Sequence, residues 1–197
     1  MLVYLASQSP RRQQLLQQIG ISFELLLPTD PQAAEALEQV LPGEKPLAYV
    51  QRVTLLKLQA AQAQLRTNQL AVHPVLCADT TVALGEDILG KPASDQEARQ
   101  MLTRLSGQTH QVFTAIALSD GRKIHRAVNR SKVVFDVLTE ADIADYVASG
   151  EPMGKAGAYG IQGQAGRFIK RIQGSYSGIM GLPLHETSQL LRRLAKD

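Results

Sequence analysis

Apolar residues at strand and helix spacing divide the first third of the chain into a series of elements. The pattern predicts a strand from Leu2 to Ala6, a helix that ends at Gly20, a strand from Ile21 to Leu27 and a helix from Leu47 to Leu65. Residues 28–46 are rich in Pro, Ala and Glu, and we expect them to form a connection with one short helix.

The remainder of the chain continues this alternation. Further strands are predicted at Val75 to Leu84, Ile88 to Leu89, His110 to Leu118, Ile124 to Val137 and Phe168 to Ile172. Helices are predicted after the caps Ser94 and Thr139, and a last helix carries Leu190, Leu191 and Leu194. Such alternation predicts an α/β domain with a mixed sheet.

One helix pattern is interrupted by a charge. The predicted buried stripe of the helix from Leu47 to Leu65 consists of Val50, Val53, Lys57, Ala60 and Ala61. Lys57 stands where the period requires an apolar residue. A long stem that covers apolar surface while its ammonium reaches water would explain this position, and so would a functional role. The pattern favours neither explanation.

Length and composition narrow the class of protein. A chain of 197 residues fits one domain, which we expect to span residues 1–197. Hydrophobic residues make up 44% and charged residues 20%, as in an ordinary globular protein. No apolar run approaches a membrane span and no secretory signal is visible, so we expect a cytoplasmic protein without a membrane partner. Cys77 is the only cysteine, which excludes an internal disulfide and fits a reducing compartment.

The formal net charge of +3 and the pI near 9.1 raise the question of nucleic-acid binding. The cations are scattered along the chain, and only five Tyr and four Phe accompany them, without basic–aromatic interleaving. We therefore expect no nucleic-acid partner. An anionic small molecule requires only a locally positive cleft.

Two arginines at the junction of the first strand and helix form a candidate phosphate site. Ser9 suits the N-cap and Pro10 the first helical position, so Arg11 and Arg12 begin the helix. The N–H groups and partial positive charge of a helix N-terminus favour phosphate, and guanidinium groups add forked donors. Because both arginines begin the apolar stripe, we expect them at a cleft beyond the strand end.

Asp79 interrupts the apolar strand from Val75 to Leu84, where an unpaired ionised group would be costly to bury. It is either a structural ion-pair partner or a carboxylate that acts in a cleft. A lysine or a metal ion nearby would favour the second interpretation.

Residues 85–92 come within one residue of a phosphate-binding P-loop. Pro92 replaces the hydroxyl residue that would contact magnesium, and the segment is predicted as a hairpin and loop, so we reject a Walker-type NTPase. Lys91 is then either a turn lysine or a phosphate ligand on its own.

A glycine-rich segment runs from Gly150 to Gly166 and places five of its six glycines at intervals of three. Such a segment lets the backbone approach a ligand closely. Within it, Lys155 supplies charge, and Gln162 offers both a donor and an acceptor to the edge of a base.

Other kinds of chemistry find no support. Ser175 and Ser177 lack the G-x-S-x-G context of a nucleophilic hydrolase. With one cysteine, a structural zinc site is not expected. The histidines, which lie in no metal-ligand spacing, are His73, His110, His125 and His185.

Six blocks, in order, resemble the Maf family of nucleotide pyrophosphatases, once described as septum-formation inhibitors. The blocks span Leu5–Arg12, Ala78–Val82, Gly90–Pro92, Leu105–Gly107, Lys155–Gly163 and Gly181–Leu184. The resemblance covers nearly the whole chain. It implies a Maf/ITPase-like fold, with a mixed twisted β-sheet flanked by helices and two lobes around a central cleft. It also suggests a homodimer.

The resemblance implies a metal-dependent hydrolase that cleaves nucleoside triphosphates between the α and β phosphates and releases a monophosphate and pyrophosphate. Asp79 matches the family's proposed general base and is also the safer metal ligand, for Mg²⁺ or Mn²⁺. The cations that match triphosphate-binding positions are Arg11, Arg12, Lys57 and Lys91, and the hydroxyl contacts are Ser7 and Ser9. Lys155 is a further expected substrate contact.

Arg11, Thr80 and Gln162 match positions associated with the branch that looks like dTTP/UTP pyrophosphatases. A glutamine can pair with the imide edge of thymine or uracil. The neighbouring branch acts on 7-methyl-GTP and usually carries Glu at the glycine-rich loop, so hydrolysis of 7-methyl-GTP or another modified nucleotide is the alternative. An alternative of another class is a cell-division regulator or nucleic-acid-binding protein without hydrolysis.

The chain departs from the family pattern at two places. Leu56 stands where many relatives carry a glutamate before the lysine equivalent to Lys57. The family's acidic block after the second strand is degraded to Pro28-Thr29-Asp30-Pro31. Asp30 and Glu35 are therefore only weak candidate metal ligands.

Overall fold

A computed structural model describes residues 1–195 and contains a seven-stranded mixed sheet with helices on both faces. The strands are β1 (Leu2–Leu5), β2 (Ser22–Leu25), β3 (Val75–Leu84), β4 (Asp87–Leu89), β5 (Thr109–Ser119), β6 (Ile124–Phe135) and β7 (Ile169–Gln173). The helices are α1 (Pro10–Gln18), α2 (Pro31–Ala36), α3 (Pro46–Thr67), α4 (Asp95–Leu105), α5 (Glu140–Ala148), α6 (Tyr176–Met180) and α7 (Leu184–Leu194). The predicted mixed sheet flanked by helices is confirmed.

The strand order leaves one edge of β3 open in its middle. The order is β2-β1-β3-β5-β6-β7, with β4 paired to the end of β3, and β1 runs parallel to both β2 and β3. β1 pairs with β3 at residues 75–76, and β4 pairs with it at residues 82–84. In the described part of the chain, no strand pairs with residues 77–81 on that side. The segment that leaves β1 therefore passes beside Asp79 and Thr80.

Side chains of β3 alternate between two cores. Its even-numbered apolar residues pack in the larger core with α1, α4, α5 and α7, and its odd-numbered ones pack against α3. Asp79 therefore faces α3, whereas Thr80 faces the opposite side of the sheet. Asp79 and Thr80, which are adjacent in β3, therefore lie on opposite faces of the sheet.

Three differences from the predicted elements have a physical cause. β6 ends at Phe135, because Val137 lies beyond the pairing with β7 and is 75% exposed. The predicted stripe of α3 is wrong at Ala60, which is exposed; Thr54 and Leu58 complete the buried face at helical spacing. α6 was not predicted, since its five residues include a glycine and offer no apolar period.

The helix starts agree with the sequence, although one cap works differently. Thr139 and Asp142 form the reciprocal capping box of α5. Ser9 occupies the N-cap position of α1 ahead of Pro10, but its side chain makes no capping hydrogen bond. Instead, the Ser9 backbone N–H donates to Ser7 Oγ at 3.2 Å. No helix within residues 1–195 is long and apolar enough to cross a membrane.

Candidate active site

A cleft of about 840 Å³ opens beside the unpaired edge of β3, between α2, α3 and the glycine-rich segment. Every residue that the sequence assigned to catalysis or substrate binding lines it. These residues are Ser7, Ser9, Arg11, Arg12, Lys57, Asp79, Thr80, Lys91, Lys155 and Gln162. Residues from separate parts of the chain are therefore brought to one opening, and their roles stay predictions.

Asp79 forms an ion pair with the lysine that interrupts the stripe of α3. Lys57 Nζ lies 2.6 Å from Asp79 Oδ1, and Asp79 is only 6% exposed. Burial disfavours the ammonium, but the charges of Asp79 and Glu38 outweigh burial and raise the pKa of Lys57. Lys57 is therefore a charged member of the cleft and does not merely extend to solvent.

Glu38 belongs to the same charge cluster, and sequence reasoning missed it. Its Oε1 lies 2.7 Å from Lys57 Nζ, and its Oε2 lies 2.5 Å from Lys91 Nζ. Burial acts to raise the pKa of the Glu38 carboxyl, but the two lysines outweigh it and lower that pKa. Glu38 is therefore ionised at neutral pH and holds two cations that the sequence assigned to phosphate.

The turn that carries Glu38 is fixed by α3. The Tyr49 hydroxyl donates to the backbone oxygen of Glu38 at 2.9 Å, and Arg52 Nη2 donates to that of Gln39 at 2.8 Å. Two contacts of 2.6 Å join the Arg52 guanidinium to the Glu44 carboxylate. Burial raises the pKa of Tyr49, so its hydroxyl keeps the proton that it donates. One helix thus positions both Glu38 and the lysine that pairs with it.

Asp79 and Glu38 are the carboxylates that fit a divalent ion in this cleft. Mg²⁺ in nucleotide sites is usually held by one or two carboxylates, and substrate phosphates and water complete its shell. Among residues 1–195, no cluster of three or more His, Cys, Asp or Glu could hold an ion alone. Asp30 instead caps α2, where its Oδ1 accepts two backbone N–H groups at 3.0 Å, and Glu35 is exposed.

Arg12 joins three segments around the cleft. Its Nε donates to the Gly181 oxygen at 2.8 Å, its Nη1 to Ser7 Oγ at 3.0 Å and its Nη2 to Thr80 Oγ1 at 3.2 Å. The hydroxyls of Thr80 and Thr114 lie 3.0 Å apart, and that of Thr114 donates to a carbonyl of α6. Thr80 must therefore donate to Thr114 while it accepts from Arg12.

Arg11 is bound less completely. Its Nε donates to the Met180 oxygen at 3.3 Å, and neither terminal nitrogen of its guanidinium has a hydrogen-bond partner among the described residues. Burial lowers the pKa of Arg11. Because the ordinary pKa of arginine is far above neutral pH, the group keeps its charge. Arg11 therefore offers the cleft a forked cation, whereas Arg12 mainly supports the walls.

The glycine-rich segment packs directly on β3 at Gly157. Its backbone has a φ of +68°, and a Cβ at this position would lie 2.8 Å from the side chain of Val82. The Gly157 N–H donates to the Gly90 oxygen at 3.0 Å. This hydrogen bond joins the glycine-rich segment to the loop of Lys91, so it holds two walls of the cleft together.

Lys155 and Gln162 lie on either side of Gly157 in the same segment. The Lys155 ammonium donates to the backbone oxygen of Glu151. Burial and the nearby charge of Arg11 lower the pKa of Lys155. Gln162 is exposed where it lines the cleft. The glycine-rich segment therefore contributes an amide and a cation to the lining of the cleft.

Other reactive side chains lie outside the residues that line the cleft. Cys77 is buried, and burial raises the pKa of its thiol to about 12. His110 is buried against Tyr159, and burial lowers its pKa to about 4. Ser175 caps α6 by accepting a backbone N–H at 3.0 Å. None of the three is an alternative centre of reaction.

Comparison with known proteins agrees with this geometry. A family model described as Maf-like protein matches residues 2–194. The chain belongs to this family. The match confirms the resemblance that the sequence blocks indicated, and it places the cleft within the part of the chain that the family shares.

Individual relatives are similar over almost their full length. A protein of a Polaromonas species is 58% identical over 96% of this chain and 94% of its own. A protein of Ralstonia nicotianae is 57% identical over 98% and 94%, and one of Burkholderia lata is 58% identical over 96% and 91%. All three bear the name dTTP/UTP pyrophosphatase.

Among solved structures, the Staphylococcus aureus Ham1 protein matches 70% of this chain and 72% of its own, with 16% identity and a TM-score of 0.42. This likeness is too distant to bear on the site.

Proposed function

We propose that this chain is a nucleoside triphosphate pyrophosphatase that hydrolyses dTTP and UTP to the monophosphate and pyrophosphate. The observation that carries the proposal is the position of Asp79, a nearly buried carboxylate 2.6 Å from Lys57 in a cleft lined by further cations. A carboxylate among cations adds nothing to phosphate binding, but it is useful for hydrolysis. The names of relatives at 57% and 58% identity support the same substrates.

The triphosphate would lie across the cations of the cleft. Arg11 and Lys155 line the cleft, as do Lys57 and Lys91, which Glu38 joins. Guanidinium groups bind phosphate oxygens through paired donors, whereas ammonium groups act as compact charges. Charge that develops on the pyrophosphate leaving group is stabilised by such groups when they are held in place before the reaction.

Asp79 would act on the attacking water. In this step, the water oxygen bonds to the α-phosphorus, the bond from that phosphorus to the bridging oxygen breaks, and the water proton passes to the Asp79 carboxylate. Pyrophosphate leaves with the electrons of the broken bond. Lys57 would orient Asp79 through their 2.6 Å contact.

Asp79 and Glu38 would hold a divalent cation, Mg²⁺ or Mn²⁺. When bound, such an ion neutralises phosphate charge and polarises the reacting phosphoryl group. Glu38 contacts Lys57 and Lys91, and substrate phosphates would give those lysines other partners and leave carboxylate oxygens for the ion.

Gln162 would select the base. Its amide offers a donor and an acceptor, which match the donor and acceptors of the imide edge of uracil and thymine. Arg11 and Thr80 are the other expected specificity positions. Thr80 would act through Arg12, since its hydroxyl accepts from that guanidinium at 3.2 Å.

A nucleotide panel tests the proposal. The purified chain is incubated with Mg²⁺ and dTTP, UTP, dCTP, dATP, dGTP or 7-methyl-GTP, and pyrophosphate release is measured. We expect dTTP and UTP to be the best substrates. Preference for 7-methyl-GTP would show that the proposed substrates are wrong. Binding of duplex or single-stranded nucleic acid with steep salt dependence, without hydrolysis, would show that the proposed function is wrong. Cytoplasmic location and homodimer formation stay predictions.

A further inference from the structure

A hydroxyl and a carboxylate hold the glycine-rich segment from behind the cleft. The Tyr146 hydroxyl, on α5, donates to Glu151 Oε1 at 2.9 Å and accepts from the Gly160 N–H at 3.3 Å. The second carboxylate oxygen of Glu151 accepts from the Gln164 N–H at 3.0 Å. The two backbone N–H groups lie two residues before and two residues after Gln162. One pair of side chains therefore fixes both ends of the short stretch that presents the amide.

The glycines of this stretch show how closely the pair approaches the backbone. A Cβ at Gly163 would overlap the carboxylate of Glu151. A Cβ at Gly160 would lie 3.1 Å from the Lys155 stem and 3.4 Å from Gln162 Nε2. At Gly163 glycine is required by close packing and not by a left-handed backbone, whereas at Gly160 the packing is tight. The glycine at position 163 thus leaves room for the carboxylate that holds the stretch.

The tyrosine of the pair is shielded from water. Tyr146 is 0% exposed, and its ring packs edge-on against Phe168 with centroids 5.4 Å apart. Burial and the hydrogen bond to Glu151 raise the pKa of Tyr146, so the hydroxyl remains a donor at neutral pH.

We propose that Tyr146 and Glu151 are positioning residues that set nucleobase selectivity by holding Gln162 in register with the base. The inference rests on the proposed function, because it requires Gln162 to pair with a pyrimidine imide edge. A pair of hydrogen bonds to one base discriminates only while both atoms stay in place. Without the hydrogen bonds of the Gly160 and Gln164 N–H groups, the protein would still bind the triphosphate but would lose much of its preference between bases.

Two matched substitutions test this role. Tyr146→Phe removes the hydroxyl that joins Glu151 to Gly160 and keeps the buried ring. Tyr159→Phe removes another buried hydroxyl of the same segment, which contacts His110 Nε2 at 2.8 Å and no backbone group of the stretch. Steady-state kcat and KM are measured for dTTP and dCTP, and thermal unfolding confirms that each variant is folded.

For Tyr146→Phe we expect a KM for dTTP about tenfold higher, a kcat within about twofold of wild type, and a preference for dTTP over dCTP reduced about tenfold. Tyr159→Phe should keep the wild-type preference even where it lowers the melting temperature by a similar amount. A purely structural role would lower the stability of both variants and leave base preference unchanged in both.

Glu151→Gln provides an independent test, because its amide nitrogen cannot accept one of the two hydrogen bonds that the carboxylate accepts. Glu151→Gln should shift base preference in the same direction as Tyr146→Phe. If Tyr146→Phe does not fold, Glu151→Gln tests the positioning role in its place. Wild-type selectivity in both variants would overturn the positioning role alone. Absence of hydrolysis by the wild type would overturn the proposed function, and this inference with it.

Discussion

The carboxylate of Glu38 lies 2.7 Å from the ammonium of Lys57, which also pairs with Asp79 at 2.6 Å. One lysine therefore joins two carboxylates that come from different segments, the turn after α2 and strand β3. Because Glu38 also contacts Lys91, removal of its charge affects two ammonium groups at once. We therefore expect the chemistry of the cleft to depend on this cluster more than on any single cation.

Glu38→Gln should reduce kcat/KM for dTTP by about 100-fold, since loss of one preorganised electrostatic group has effects of that order. The substitution keeps the shape of the side chain and removes the charge that orders Lys57 and Lys91. Glu24→Gln, an exposed carboxylate on β2, is the matched control and should have wild-type kinetics. Equal activity of Glu38→Gln and the control would show that Glu38 takes no part in the reaction.

Arg11 and Arg12 should respond differently to replacement by lysine. Arg11→Lys should raise the KM for dTTP about tenfold with an unchanged melting temperature, because a lysine loses the forked phosphate contact. Arg12→Lys should also lower the free energy of unfolding by about 2 kcal/mol, since a lysine cannot reach the three acceptors that the guanidinium serves. Equal losses of stability in both variants would contradict this division of roles.

Substitution of two glycines by alanine separates backbone strain from packing. Gly154 and Gly157 have φ values of +70° and +68°, but only at Gly157 would a Cβ meet Val82 at 2.8 Å. Gly154→Ala should cost about 1 kcal/mol of unfolding free energy, from backbone strain alone. Gly157→Ala should cost at least 1 kcal/mol more, because Val82 must move. Chemical denaturation measures both, and equal costs would mean that the segment is not packed tightly on β3.

The sequence could identify most of the cleft because several of its residues violate a local pattern. Asp79 interrupts an apolar strand and Lys57 interrupts an apolar stripe, so a functional role was one of two explanations for each. The structure brings the two together at 2.6 Å. Arg11 and Arg12 were located by their place between a strand and a helix, although their different hydrogen bonding depends on α6 and on the turn after it, which no local pattern reaches.

Glu38 could not be found in this way. It follows the short helix α2 in a segment without hydrophobic period, where an acidic residue violates no rule. Its importance arises only when α3 and the loop of Lys91 place two ammonium groups beside it. The hold of Tyr146 and Glu151 on the glycine-rich segment is likewise tertiary, and the glycine spacing was its only visible sign.

His110 should make stability depend on pH in the acid range. Burial lowers its pKa to about 4 in the folded protein, whereas the unfolded side chain has an ordinary value near 6.5. Between these values the unfolded state binds a proton that the folded state does not, so stability falls as the pH falls. The loss should reach roughly 3 kcal/mol at pH 4. His110→Gln, which retains a polar partner for Tyr159, should remove this part of the slope; an identical slope in the variant would refute the assignment.

Product analysis with Asp79→Asn tests the central claim most directly. Wild-type protein with Mg²⁺ and dTTP should yield dTMP and pyrophosphate in equal amounts, resolved by ion-exchange chromatography. Asp79→Asn should bind dTTP but form both products at least about 100-fold more slowly, because it lacks the carboxylate that accepts the water proton. Orthophosphate and dTDP as products, or wild-type turnover by Asp79→Asn, would contradict the account.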